Sequence, residues 1–245
     1  MDHLIGPARL GARVFASIAV IAGASRGAVV LPASPEAGWQ SVADQVHTLA
    51  ILVRARALIA DRKDGGALRV HEAVSLASGV LLGDGLALTE LDPLVLTSAD
   101  GHKDLASQIE IVVDEVGPLP VRVVFADPAL DIAVLRLPEE ARSLPGASLA
   151  PGEPAVGDAL LAVGIDGDSV DAVGVRLVRV DSAEDGTPRL RTDRPLPVRL
   201  SGGPLFDGRG HVVGLSTPPA GAEGTAVPAS LLRSVLRKLV AAAGP

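Results

Sequence analysis

The chain has 245 residues, 48% of them hydrophobic, enough for one large or two small β domains around a buried core. Its net charge of -7 leaves no positive footprint for nucleic acid, and the absence of Cys excludes disulfides, thiolate nucleophiles and sulfur-ligated metals. Aromatics are 2% of residues, so Val, Leu, Ile and Ala must fill the core, which favours strands wherever the β-branched residues cluster.

Arg9 and Arg13 precede an apolar run from Val14 that ends at Ala22-Gly23-Ala24, a small-x-small site. This reads as a signal peptide over residues 1–24 and implies a periplasmic or secreted protein. The run is too short to span a bilayer, and no later segment reaches the roughly 18 apolar residues a transmembrane helix needs. Residues 25–45, with Pro32, Pro35 and Gly38, read as a tether.

Between Val46 and Ile59 the apolar run admits a helix or a strand, but the alternation from Val53 to Leu58 predicts a strand, with a turn-rich loop at Asp61–Gly66. Ala77–Leu82, the turn Gly83-Asp84-Gly85 and Leu86–Thr89 predict a hairpin. The short apolar runs Leu94–Thr97, Ile109–Val113, Val121–Ala126 and Ile132–Leu137 complete one β-barrel over 46–137. Pro138–Gly152 reads as a crossing segment (138–152). The runs at Ala159–Val163, Val173–Val180, Arg189–Thr192, His211–Ser216 and Thr225–Val227 predict a second barrel within 153–245. The chain closes with helical spacing at Leu231, Leu232, Val235, Leu236 and Leu239, which leaves Arg233, Arg237 and Lys238 facing water.

Arg199-Leu200-Ser201-Gly202-Gly203-Pro204 sets a serine in a glycine-proline turn between strands. Glycines let a backbone bend sharply and aim amides at a bound carbonyl oxygen. By itself the motif also fits an ordinary hairpin corner.

The segment from Ser201 to Ser216 resembles the nucleophile segment of trypsin-like serine proteases, most closely the HtrA/Deg type. Ala77-Ser78-Gly79-Val80 is similar to that family's opening strand, and Leu94–Ala99 to the strand leading into its catalytic His. Phe125–Leu137 is similar to the strand that begins with its catalytic Asp, while Gly157–Gly164 and Ala226-Val227-Pro228 are similar to second-barrel strands and the closing strand-to-helix junction. The resemblance implies an all-β fold of two six-stranded β-barrels, here without a PDZ domain.

It also implies roles. Ser201 fits the nucleophile and Asp131 the orienting carboxylate, but Asp100 stands where the base is expected. A carboxylate has no second ring nitrogen with which to join Ser201 to Asp131. His102 is a possible substitute base; His71 and His211 read as structural or exposed. The oxyanion hole would be formed at Arg199, Leu200 and Ser201, where the family places Gly-Asn before the serine.

The expected protein is therefore a pseudoprotease that binds a peptide or unfolded protein in the cleft between barrels, as a monomer. The alternative is an active serine endopeptidase or esterase using Ser201 with His102 or a carboxylate base. A bare β-barrel scaffold is the third reading. No cofactor is expected and no metal, since the His residues are scattered and Gly164–Asp168 only partly resembles a calcium loop.

Overall fold

A computed structural model of the chain describes residues 39–62, 68–97, 101–114, 116–167, 169–183, 186–219 and 221–243. The expected signal peptide, most of the tether, the tip of the Asp61–Gly66 loop and Asp100 lie outside the described residues.

The first described element is helix α1 (Trp39–Val46), where a strandless tether was expected. Trp39, Val42, Ala43 and Val46 are all buried, and their i, i+3, i+4, i+7 spacing puts them on one face. The alternating segments then form β1 (Ala50–Arg62), β2 (Leu68–Leu82) and β3 (Leu86–Glu90). A 3-10 turn (Asp92–Leu94) leads to a small separate hairpin, β4 (Val95–Thr97) with β5 (Lys103–Leu105). Next come β6 (Gln108–Val113), β7 (Gly117–Pro120), β8 (Arg122–Asp127) and β9 (Ile132–Arg136). These strands, without β4 and β5, make a seven-stranded antiparallel sheet in the order β7-β6-β1-β2-β3-β9-β8.

The second half supplies β10 (Ala159–Asp166), β11 (Ser169–Ser182), β12 (Pro188–Thr192), β13 (Pro204–Phe206), β14 (Val212–Ser216) and β15 (Gly224–Pro228). They close on themselves in the order β10-β11-β12-β15-β14-β13. Closure removes the sheet edges. Helix α2 (Ala229–Ala243) ends the chain.

Strand residues alternate between two faces, and several strands are buried on both. Ile51, Val53, Ala55, Ala77, Leu81, Ala133 and Leu135 pack inside the first sheet. Their neighbours Leu52, Val80, Leu88 and Val134 face the other way and join Leu161, Val163, Ile165, Phe206 and Leu232 in a core common to both sheets. Leu160, Ala162, Leu177, Leu190 and Val213 fill the closed barrel. Two-sided burial is why Ile132–Leu135 and Leu160–Val163 read as continuous apolar runs with no alternation.

In α2, Leu232, Val235 and Leu239 are buried as the spacing predicts. The cations of this helix are not simply wet. Lys238 Nζ bonds Asp127 Oδ2 at 2.8 Å, and Arg233 donates to the carbonyl of Ala150.

Candidate active site

Two segments meet at Ser201: the end of β3 with the following turn, and a 3-10 turn at Val198–Leu200 that runs into Ser201-Gly202-Gly203. A third, the Asp127–Ile132 turn, braces the first through Asp131. Gly202 has φ 78°, and a Cβ there would lie 2.4 Å from the carbonyl oxygen of Ser78. A Cβ on Gly203 would lie 2.2 Å from the carbonyl oxygen of Val163. The glycines that the sequence motif drew attention to are therefore demanded by close approach of neighbouring backbone.

Ser78 is the tie between these segments. Its Oγ donates to the carbonyl of Arg199 at 2.8 Å and accepts the amide of Ile165 at 2.9 Å. Its own amide donates to the carbonyl of Ser201 at 3.1 Å, and its carbonyl accepts Thr89 Oγ1 at 2.7 Å. One fully buried hydroxyl residue thus connects β2, β3, β10 and the nucleophile turn.

Ser201 is 8% exposed, and its Oγ donates to Glu90 Oε1 at 2.9 Å. Glu90 is the last residue of β3 and is 2% exposed. Burial, the chief cause, pushes its carboxyl up to about 8; the charges of Asp131 and Asp92 add to this and the Ser201 hydrogen bond opposes it. At neutral pH Glu90 is mostly protonated, and a protonated carboxyl is not a base.

Asp131 holds a left-handed backbone, φ 56°, uncommon for a residue other than glycine. Its Oδ1 accepts the amides of Leu91 at 3.0 Å and Asp92 at 2.7 Å. Burial raises its pKa, offset in part by the Asp92 amide, with the Asp92 charge raising it again. Asp131 therefore grips the backbone just after Glu90, close enough for its charge to act on the Glu90 carboxyl.

Of the histidines among the described residues, His102 is exposed with Nε2 3.5 Å from Asp104 Oδ2, and His211 Nδ1 is 3.3 Å from Asp207 Oδ2. His47 Nδ1 lies 2.9 Å from the carbonyl of Asp44, and His71 is on an exposed stretch of β2. The structure brings together Ser201, Glu90 and the Asp131 turn, and leaves His102 on a separate hairpin. Glu90 and Asp92 did not emerge from the sequence as site residues. The dipeptide Leu-Thr occurs twice, at Leu88-Thr89 and Leu96-Thr97, and the second copy drew the comparison with the base-bearing strand. In the structure Thr89 and Glu90 pair with Ala133 and Ile132, next to Asp131, whereas Leu96-Thr97 lies in the β4–β5 hairpin.

At two of the three oxyanion positions the amide is engaged. The amide of Ser201 donates to the carbonyl of Val198 at 2.9 Å, and that of Leu200 donates to the carbonyl of Pro197 at 2.9 Å. Leu200 is fully buried in the barrel core. The Arg199 guanidinium bonds Asp171 Oδ2 and lies 3.8 Å from Asp166 Oδ2. Beside Ser201 lies a cavity of about 270 Å³ bounded by Leu52, Leu76, Glu90, Ile165, Arg199 and Pro218.

The trypsin-like peptidase domain profile matches residues 77–215, more than half of the chain. The chain therefore belongs to the trypsin-like peptidase family. Its relatives include two proteins described as probable periplasmic serine endoprotease DegP-like. The one from Ectopseudomonas mendocina (strain ymp) is 31% identical over 162 residues, which cover 64% of this chain and 31% of that protein. The one from Pseudomonas fulva (strain 12-X) is 31% identical over 162 residues, 64% of this chain and 32% of that protein. The chain spans about a third of the length of the curated relatives it matches. Among solved structures, the inactive form of the Rv3671c protease matches with TM-score 0.65 at 19% identity, over 86% of this chain and 98% of that one. The HtrA-type protease AlgW with decapeptide matches with TM-score 0.63 at 19% identity, over 81% of this chain and 66% of that one. These likenesses establish the chymotrypsin-like fold.

Proposed function

We propose that this chain is a non-cleaving trypsin-fold protein of the periplasm that holds an extended peptide, or a segment of an unfolded protein, in the cavity beside Ser201. The observation that carries the proposal is the double engagement of Ser201, whose hydroxyl is given to Glu90 and whose amide is given to Val198. Acyl transfer needs a group that takes the hydroxyl proton and amides that receive the developing oxyanion. Here the neighbouring carboxyl holds its own proton at neutral pH, and a carbonyl oxygen occupies the Ser201 amide.

The position of the base is better met by Asp92 than by Asp100, because the amide of Asp92 is one of the two that Asp131 grips. A carboxylate at either position lacks the second nitrogen with which imidazole bridges nucleophile and orienting Asp. Peptide binding uses strand addition and side-chain pockets, so it survives the loss of the base. The periplasmic address rests on the Arg9, Arg13 and Ala22-Gly23-Ala24 pattern and on the description of the relatives. Isothermal titration with a diverse set of unfolded-protein peptides tests the binding. Micromolar binding that is unchanged by Ser201→Ala is expected, and failure of every peptide to bind would overturn the proposal.

The Ser201–Glu90 contact also favours one specific alternative, an active serine hydrolase with a carboxylate base. When Glu90 is ionised, its carboxylate can take the Ser201 proton directly as Oγ attacks a carbonyl carbon. This reading places activity at and above pH 8 and assigns no part to His102.

A further inference from the structure

Away from Ser201, a cluster of charged side chains stands on one face of the first sheet. Residues two apart along a strand share a face, and so do residues directly opposed on neighbouring strands. β1 sets Arg54 opposite Glu110 and Arg56 opposite Gln108 of β6, and Glu110 is in turn opposite Pro120 of β7. Two guanidiniums therefore share a single carboxylate. Arg54 Nη1 donates to Glu110 Oε1 at 2.6 Å, whereas Arg56 Nη2 reaches the same oxygen only at 3.5 Å. Arg54 satisfies Glu110, and Arg56 is left with a long, weak contact.

The inner nitrogen of that second guanidinium is worse placed. Arg56 Nε is buried and, among the described residues, is the one buried side-chain nitrogen or oxygen with no hydrogen-bond partner. Such a group is rare in a folded protein, because burying a donor without an acceptor is costly. Arg56 also borders a cavity of about 270 Å³, together with Gln108, Ile109, Glu110, Pro120 and Val121. This cavity shares no lining residue with the one beside Ser201.

We infer that the cavity between β1, β6 and β7 takes the carboxylate of a small aliphatic acid, held by the fork of Arg56 once its guanidinium turns from Glu110 towards the ligand. The charges fit a monoanion, since two guanidiniums against one carboxylate leave one positive charge to neutralise. The Nε–Nη2 edge of a guanidinium carries two parallel N–H donors that match the two oxygens of a carboxylate. The turn gives the buried Nε an acceptor and exchanges one long hydrogen bond for two good ones, while Arg54 keeps Glu110 paired. Ile109, Pro120 and Val121 supply an apolar wall for a short hydrocarbon tail. The volume lies below the roughly 300–1,000 Å³ of sites for drug-sized ligands, so the acid is small. The inference does not depend on what the Ser201 cavity holds.

Nuclear magnetic resonance of the isotope-labelled full chain, titrated with isovalerate, tests it. The arginine Nε–H signal that vanishes in Arg56→Lys belongs to Arg56. It is expected to shift and saturate with a dissociation constant on the order of 1 mM. Isovaleramide has the same shape without the charge and is expected to bind about tenfold more weakly. Arg56→Lys keeps the charge but loses the fork; followed on the backbone amide of Gln108, it is expected to bind isovalerate about tenfold more weakly with an unchanged melting temperature. No saturable shift of the Arg56 signal, equal binding of the amide, or undiminished binding by Arg56→Lys would each overturn the inference. Acetyl-glycyl-leucine with a free C-terminus separates the two sources of such a group: tighter binding than isovalerate assigns the site to a peptide C-terminus, and weaker binding assigns it to a free acid.

Discussion

Glu90 is the residue that decides what Ser201 can do. A buried carboxyl beside two other carboxyls is held neutral, and a neutral carboxyl can keep a serine hydroxyl in place without activating it. The raised pKa is also a statement about stability. The folded protein binds a proton on Glu90 that the unfolded chain releases near pH 4.5, so this contribution is complete below about pH 4.5 and is lost as pH rises to about 8. The slope from this one group is at most about 1.4 kcal/mol per pH unit. Glu90→Gln keeps the shape and the hydrogen bond but removes the titration. Urea unfolding from pH 5 to pH 9 is expected to show a shallower decline in stability for the variant. An identical decline would mean that Glu90 is already ionised in the fold.

Ser78 shows how the elements hold the site together. Ser78→Ala removes the hydroxyl that bonds the Arg199 carbonyl and leaves the Ile165 amide buried without a partner. An unsatisfied buried group costs about 1–3 kcal/mol, so thermal unfolding is expected to report a loss of that size. Proteolysis is expected to nick the 198–203 turn sooner in the variant. An unchanged melting temperature would show that the tie is dispensable.

Much of this arrangement could be read from the chain. The Ala77–Leu82 and Leu86–Thr89 hairpin, the Asp131 turn, the Ser201 turn and the closing helix all carry local signals: alternation, Gly and Pro punctuation, and 3.6-residue spacing. Helix α1 carried a signal as well, in Trp39, Val42, Ala43 and Val46, but the surrounding Pro and Gly outweighed it. The place of Glu90 could not be read locally. It depends on which Leu-Thr strand pairs beside Asp131, a contact across some forty residues of sequence, and both copies fit the pattern equally well.

In the whole molecule, the closing helix locks the first sheet to the second through Lys238 and Asp127. The lysine hydrogen bond, the chief cause, holds the Asp127 carboxyl below its usual range. A depressed carboxylate contributes stability above the ordinary Asp pKa, and this is lost as pH falls through the folded value. Lys238 is half exposed, so the pair is worth only about 1 kcal/mol. Lys238→Met is therefore expected to melt a few degrees earlier at pH 7, with the difference shrinking at a pH well below the ordinary Asp value. Equal melting at both would show that apolar packing of Leu232, Val235 and Leu239 alone docks the helix.

The same assembly holds Ser201 between a protonated acid and an occupied amide, so the central claim concerns reactivity. The most direct measurement is intact mass after incubation with a fluorophosphonate at pH 7 and pH 9, with Ser201→Ala and Glu90→Gln alongside. The account predicts no adduct on the folded protein at either pH: at pH 7 Glu90 keeps its proton, and at pH 9, where it is ionised, the Ser201 amide is still given to the Val198 carbonyl. A Ser201-dependent adduct at pH 9 that is lost in Glu90→Gln would contradict it and establish a serine hydrolase with a carboxylate base.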